Sequence, residues 1–277
     1  RVKAEAPAPT TLNGWRGAMK RFAEWLGTDY VGVATRDDAS RYKMHLLDGR
    51  QPASVKAELT RLKAFWNFGK SHNQVTENIW DGLTKKLKVS KKKARVDEQM
   101  LDKARLKADD LHDFGFWVQL FTGCRRGEHC GLRFCDVDLE NDTISFVEWN
   151  ENGMDRRLKG GEKDERVVPI HSALRRKLIA MVPGIETNNS KDLLMPGQWS
   201  ATQKIFGRTW GQSFTVRYGF NSHELRANCV SQLQAMNVSP YFLHEITRHS
   251  VPGMSDVVAG YVRPTMDELR EVVERLK

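Results

Sequence analysis

No apolar run approaches 18 residues and the mean hydropathy is −0.56, which excludes a membrane-spanning helix. The first ten residues carry no apolar h-region, so no secretory signal is expected. The chain starts at Arg1 rather than Met and is expected to begin inside a longer protein. Cysteine is scarce, with four residues in 277. Cys124, Cys130 and Cys135 crowd together without a CxxC spacing and without a histidine at finger distance, which argues against a zinc site. With Cys229 they are expected to be free thiols in a reducing cytoplasm; the alternative, a redox-sensitive cluster, lacks a marked resolving pair. No internal repeat is visible. Hydrophobic residues at 40% and aromatics at 9% rule out wholesale disorder, and the length suits one large domain or two ordinary ones.

The charge is unevenly divided. Residues 1–97 hold 20 of the 44 Lys+Arg against 10 of the 35 Asp+Glu, a net of +10, whereas residues 98–277 are close to neutral. Lys85, Lys86, Lys88, Lys91, Lys92, Lys93 and Arg95 fall within eleven residues. Such a run repels itself and resists folding alone; a solvated tether is the plain reading, and a linker tracking a polyanion is the sharper one. The expected division is a first domain over 1–84, a basic linker over 85–97 and a second domain over 98–277.

Ahead of the linker the periodicity predicts a small helical bundle. Thr10 or Thr11 is the expected cap of a helix carrying Trp15, Met19, Phe22, Ala23 and Leu26, stopped by Gly27. Further helices are expected over 37–47, from Pro52 through Phe68, and over 76–83. Arg16, Lys20 and Lys63 are among the basic residues expected to face phosphate. After the linker, a helix is expected over 106–121, strands over 143–149, 156–159 and 166–170 in one antiparallel meander, and helices over 172–181, 200–215, 225–236, 240–247 and 266–277. The fold class is mainly α with a small antiparallel sheet, an α+β chain of two domains.

Several residues form a chemically coherent set. Cutting a phosphodiester requires a nucleophile, positive charge against the non-bridging oxygens, and a proton for the departing 5′ oxygen. Arg125 and Arg226, from far-apart segments, each offer a planar fork for phosphate oxygens. Tyr261 is a plausible nucleophile, because a phosphotyrosyl ester conserves the bond for rejoining. Fixed guanidinium charge makes a metal ion unnecessary. Tyr241 competes, but it opens an apolar helix and reads as core; Tyr218 has no motif around it. Arg125 with Glu128 is also readable as a buried structural pair, and His112, His129, His171 and His244 are read as structural.

The stretch Thr122-Gly-Cys-Arg-Arg-Gly-Glu-His-Cys-Gly-Leu-Arg-Phe-Cys-Asp-Val-Asp-Leu139, followed by His223-Glu-Leu-Arg226, Thr247-Arg-His249 and Tyr261, resembles the signatures of the tyrosine recombinase (phage integrase) family in order and spacing. The resemblance implies that Arg125 and Arg226 clamp the phosphate. It implies that His223 and His249 hydrogen-bond to it, His223 also serving as a possible base toward Tyr261. It further implies that a lysine on the sheet protonates the leaving oxygen; Lys159 is the choice and Lys163 the rival. Glu128 is expected to orient the segment around Arg125.

Two features depart from the family pattern. Thr247-Arg-His249 stands where Leu-Gly-His is usual, and the twelve-residue interval from His249 to Tyr261 is longer than common. The resemblance also implies a helical core-binding domain and a catalytic domain clamping double-stranded DNA. The reaction would be recombination through a 3′-phosphotyrosyl bond and a Holliday junction in a homo-tetramer, integrating or excising a mobile element without ATP or metal cofactor. An accessory DNA-bending protein is a possible partner, and a cytoplasmic, nucleoid-associated location follows. Many relatives carry a further arm-binding domain, expected here to have been removed or to be disordered. The amphipathic last helix is expected either to pack on its own domain or to dock on a neighbouring protomer. A type IB topoisomerase-like strand transferase and a non-catalytic DNA-binding protein are the alternatives.

Overall fold

The computed structural model describes residues 9–85, 87, 96–202, 205–249 and 263–277. They belong to two units, Arg1–Lys92 and Lys93–Lys277.

In the first unit, α1 (Pro9–Leu26), α2 (Arg36–Gly49) and α3 (Pro52–Ser71) pack together. Thr10 and Thr11, expected to cap α1, lie within the helix. Thr35 and Asp38 exchange side-chain and backbone bonds in a capping box that starts α2. Phe22 meets Trp80 at 4.9 Å and Tyr42 at 5.0 Å between ring centroids, both edge-on, and Trp66 meets Trp80 at 5.6 Å. Buried Glu58 is neutralised by two 2.7 Å bonds from Arg21.

The helix expected over 76–83 is instead a series of turns. Asn78 diverts the backbone: its amide donates to Lys63 O and Asn67 Oδ1, and its carbonyl accepts from Trp80 N at 3.0 Å. Arg36 then takes the Ile79 carbonyl that a helix would use.

The second unit is built around α5 (Phe114–Thr122), a helix buried on every side and packed against α7 (Ser172–Met181) and α9 (Ser222–Ala235). The helix expected over 106–121 is broken. It is preceded by α4 (Glu98–Lys107) and a 3-10 turn over Leu111–Asp113, where Asp110 caps the chain and Trp117 Nε1 donates to Ala108 O. Among the described residues the expected single meander is split between two small antiparallel sheets, and a third sheet lies further along the chain. Strands β1 (Val137–Asp138), β2 (Thr143–Phe146) and β5 (Arg166–Pro169) form one, with Ile144 opposite Val168. β3 (Trp149–Glu151) and β4 (Met154–Arg156) form a hairpin about Asn152-Gly153, both at positive φ as a primed turn requires.

The strand expected over 143–149 is interrupted because Glu148 turns away: its N–H donates to Glu165 Oε1 and its carboxylate accepts from Leu158 N. β4 ends at Arg156, so Lys159 lies in an exposed turn rather than at a strand end. The stretch 200–215, expected as one helix, holds the hairpin of β6 (Trp199–Ser200) and β7 (Ile205–Phe206) and only then α8 (Arg208–Tyr218), with left-handed Gly207 between. Helix α10 (Pro240–Thr247) matches its expected bounds. The C-terminal helix Met266–Val273 buries Leu269, Val272 and Val273, with Leu276 beyond it, against α10 and β5 of its own unit.

Candidate functional site

The end of α5 places the first arginine. Gly123 terminates the helix in the left-handed region (φ +58), and a Cβ there would stand 2.9 Å from Thr247 Cγ2 and 3.1 Å from Cys229 Sγ; no other residue fits this crossing. Two residues on, Arg125 begins the short helix α6 (Arg126–Cys130). Its backbone N–H donates to Glu128 Oε2 at 2.9 Å, and its Nη1 to Glu128 Oε1 at 2.8 Å and Asp164 Oδ2 at 3.1 Å. Glu128 is buried and also accepts from Arg166 Nη2 at 2.7 Å. Burial would raise the Glu128 pKa, but the Arg166 charge and hydrogen bond, helped by Arg125, overcome it and bring it down to about 2. Glu128 is thus a fixed anion between two guanidinium groups.

Arg226 projects from α9, which Asn221 starts by accepting from His223 N and Glu224 N. Its Nη1 donates to Gly123 O and its Nη2 to Thr247 O at 2.9 Å. Burial, and then the nearby Arg125 charge, lower its pKa. The end of α10 collects all three arginines: Ile246 O accepts from Arg166 Nε at 2.9 Å, Thr247 O from Arg226, and Arg248 O from Arg125 Nη2 at 3.4 Å. These are C-terminal carbonyls of a helix, groups that need donors and carry partial negative charge. Arg125 and Arg226, about a hundred positions apart in sequence, therefore meet on one turn of backbone.

His249 follows that turn directly. It is half-buried, its N–H donates to Thr247 Oγ1 at 3.2 Å, and its carbonyl lies 3.3 Å from His244 Nδ1, so His244 is joined to the same corner. His223 is exposed in the first turn of α9, three residues before Arg226. Lys159 lies beside Gly160, whose N–H donates to the same Asp164 carboxylate that pairs with Arg125. Lys163 sits exposed in the same turn. Tyr261 lies outside the described residues. Tyr218 is engaged elsewhere, donating its hydroxyl to Asp113, and Tyr241 is half-buried at the start of α10.

Arg166 and Asp164 belong to this corner and were not singled out from the sequence; Arg248, marked there only as a departure from the family pattern, belongs to it too. The alternation of β5 turns Arg166, Val168 and Ile170 inward, a signal for Arg166. Arg248 occupies the left-handed conformation (φ +48) where the family pattern has glycine. Its Nη2 donates to Glu165 O at 2.8 Å and its Nη1 pairs with Glu245 at 2.8 Å, contacts that hold an otherwise costly backbone.

All four cysteines are free. Burial pushes the Cys124 and Cys229 thiols, which flank the two arginines, up to about 12, so they stay protonated. Among the described residues, Asp109, Asp110 and Asp113 form a cluster with metal-like spacing, but Arg217 lies 3.8, 3.3 and 2.7 Å from them and fills it.

In the first unit, Arg16 and Lys20 are exposed four residues apart on α1, Lys20 being 3.8 Å from Glu24. Lys63 on α3 is paired with Asp81 at 2.6 Å, and Lys85 is exposed. Lys86, Lys88, Lys91, Lys92, Lys93 and Arg95 lie outside the described residues.

Solved structures of DNA integrases share this fold. The integrase of transposon Tn1549, in complex with a circular intermediate DNA, aligns over 99% of this chain and 96% of its own at 16% identity and a TM-score of 0.63. A lambda integrase dimer bound to a COC′ core site aligns over 93% and 89% at 16% identity, with a TM-score of 0.63. A lambda integrase tetramer bound to a Holliday junction aligns over 91% and 74% at 15% identity and the same TM-score. No curated protein sequence matches. The fold is that of a tyrosine recombinase. The profile described as the phage integrase family spans residues 93–266, and the chain belongs to that family.

Proposed function

We propose that the chain is a site-specific DNA recombinase that integrates or excises a mobile element by cutting and rejoining strands through a 3′-phosphotyrosyl intermediate and a Holliday junction. Residues 98–277 carry the chemistry. The bundle over 1–84 and the basic linker over 85–97 hold the duplex, with Arg16, Lys20, Lys63 and the lysine run on its phosphates. The working assembly is a homo-tetramer on two DNA sites, as the lambda integrase tetramer sits on a Holliday junction.

The observation that carries this reading is the meeting of Arg125 and Arg226 on the carbonyls of Thr247 and Arg248, immediately before His249. Two guanidinium groups there oppose the charge that builds on a phosphate under attack. The Tyr261 oxygen bonds to phosphorus as the phosphorus–5′-oxygen bond breaks. His223 takes the phenolic proton, His249 donates a hydrogen bond to a non-bridging oxygen, and Lys159 protonates the departing 5′ oxygen. Rejoining runs these steps backward, so neither ATP nor a metal is called for.

The test uses a duplex spanning the joined ends of the element that encodes the chain, nicked beside the cleavage position so that the released strand diffuses away. Wild type accumulates a covalent adduct on a denaturing gel, and Tyr261→Phe does not. An adduct of wild-type yield from Tyr261→Phe refutes the nucleophile. Adduct formation without strand exchange between two sites points instead to a topoisomerase-like transferase.

A further inference from the structure

The turn that carries Lys159 is poorly ordered by its own sequence. Gly160 and Gly161 adjoin, and paired glycines give the backbone more freedom than any other dipeptide. Its flanks are nonetheless fixed. Leu158 N donates to Glu148 Oε1 at 2.7 Å on one side, and Arg248 Nη2 donates to Glu165 O at 2.8 Å on the other. Between them one carboxylate closes the turn. Asp164 Oδ2 accepts from Gly160 N at 2.9 Å and from Arg125 Nη1 at 3.1 Å. The contact is tight: a Cβ on residue 160 would stand 2.4 Å from Asp164 Oδ1. The Asp164 side chain is only 15% exposed.

We infer that Asp164 is a positioning residue that docks the lysine-bearing turn 159–164 onto Arg125, so that the acid of the reaction and the phosphate clamp share one frame. The inference rests on the reading of this turn as the source of the general acid. The Arg125–Asp164 pair is mostly buried, and the cost of taking both charges out of water offsets most of their attraction, so its worth is geometric. Lys159 has a flexible four-carbon stem, and its ammonium reaches the 5′ oxygen reproducibly only if the backbone beside it is held. Asp164 fixes that backbone at Gly160, one residue away, and ties it to the group that grips the phosphate. The proton leaves the lysine nitrogen for the 5′ oxygen as the phosphorus–oxygen bond breaks, and returns on rejoining.

The experiment compares two versions of the nicked duplex, one with the natural bridging 5′ oxygen and one with sulfur in its place. A thiolate, with a conjugate acid near about 8.5, departs without a proton, whereas an alkoxide, close to water at about 15.7, requires one. Asp164→Ala is expected to cleave the oxygen duplex about 10–100-fold more slowly in single turnover, a share of what general acid catalysis supplies. It should cleave the sulfur duplex at the wild-type rate and bind uncleaved DNA within about threefold of wild type, a change smaller than one clean phosphate contact. Asp164→Asn, which keeps an acceptor for Gly160 N–H, should recover most of the loss. Equal slowing on both duplexes, or no slowing on oxygen, overturns the role of Asp164; a misfolded variant falls in the first of these. Lys159→Ala and Lys163→Ala run alongside. Sulfur rescue of either places the acid on this turn, and rescue of neither refutes the underlying reading independently of Asp164.

Discussion

Arg226 is buried, yet in the proposed reaction it meets a phosphate. The described residues take two of its N–H groups, through Gly123 O and Thr247 O, from a side chain that has five. Those two bonds fix the plane of the fork in advance, which is what makes a charged group effective against developing charge. Arg226→Lys keeps the charge and loses the fork. It should lower cleavage by about 10²–10³-fold, as removal of a preorganised donor does, while DNA affinity measured by gel shift moves by less than about threefold, because many contacts share it. Equal losses in both would show Arg226 to be a binding residue only. Glu128 makes a different prediction, about pH. Its folded pKa near 2 lies below its ordinary 4.5, so as pH falls the unfolded chain takes up the proton first. The stability it contributes, about 3 kcal/mol, is therefore complete above pH 4.5 and drains away toward pH 2. His129 adds to the same trend: burial lowers its pKa from 6.5 to about 3, so its neutral form is favoured in the fold and stability falls as pH drops below 6.5. Glu128→Gln leaves Arg166 without its anion and Arg125 with Asp164 alone, and should cost about 3–5 kcal/mol at pH 7. In urea titrations the gap between wild type and variant should narrow steadily between pH 4.5 and 3; a gap independent of pH would contradict the assignment.

At the scale of elements, the C-terminal helix is an integral part of its own unit. Leu269, Val272, Val273 and Leu276 are buried there, Glu274 accepts from Ser172 N and Oγ, and Gln232 exchanges bonds with Lys277. Leu269→Ala should therefore destabilise the isolated protomer by about 2–4 kcal/mol through cavity formation, read from denaturant midpoints at concentrations where no assembly forms. An unchanged midpoint would mean that the stripe finds its partner only on another copy. Elements with self-contained signals were legible in the sequence. Pro240 behind the Ser239 cap sets α10, and Leu174, Leu178 and Met181, apolar at helical spacing, mark α7, whose bounds match to the residue. Segments whose fate is decided by distant partners were not. Helix α4 buries only Leu101 and Ala104 in a charged stretch, so its period is faint. Residues 76–83 look helical until Asn78 and Arg36 claim their backbone, and 200–215 conceals a hairpin stopped by Gly207. The same division runs through the site. The two arginines and the histidines stand in recognisable local patterns, whereas Asp164, Arg166 and Arg248 acquire their place only when turn, strand and helix end close on one another.

Over the whole chain, the positive charge and the proposed chemistry reside in different places. Residues 1–97 hold a net of +10, while 98–277, with 24 Lys+Arg and 25 Asp+Glu, are balanced. The arginines of the candidate site are already committed in part to carboxylates and carbonyls, so they contribute less to long-range attraction than their number suggests. Affinity for DNA should then depend on the first third of the chain, and in particular on Lys91, Lys92 and Lys93, which stand consecutively in the proposed linker. Each lysine on a phosphate releases about 0.9 of a counterion from duplex DNA, so each removed contact reduces the slope of log affinity against log salt by about that amount. Replacing Lys91, Lys92 and Lys93 together by Gln should flatten the slope by about 2–3 and weaken binding most at low salt. Cleavage of DNA held at saturating protein should stay near the wild-type rate, because the phosphate clamp is untouched. If the slope keeps its wild-type value, those lysines are a solvated tether. If saturated cleavage collapses with it, the linker has a part in the chemistry and the separation of charge from catalysis fails.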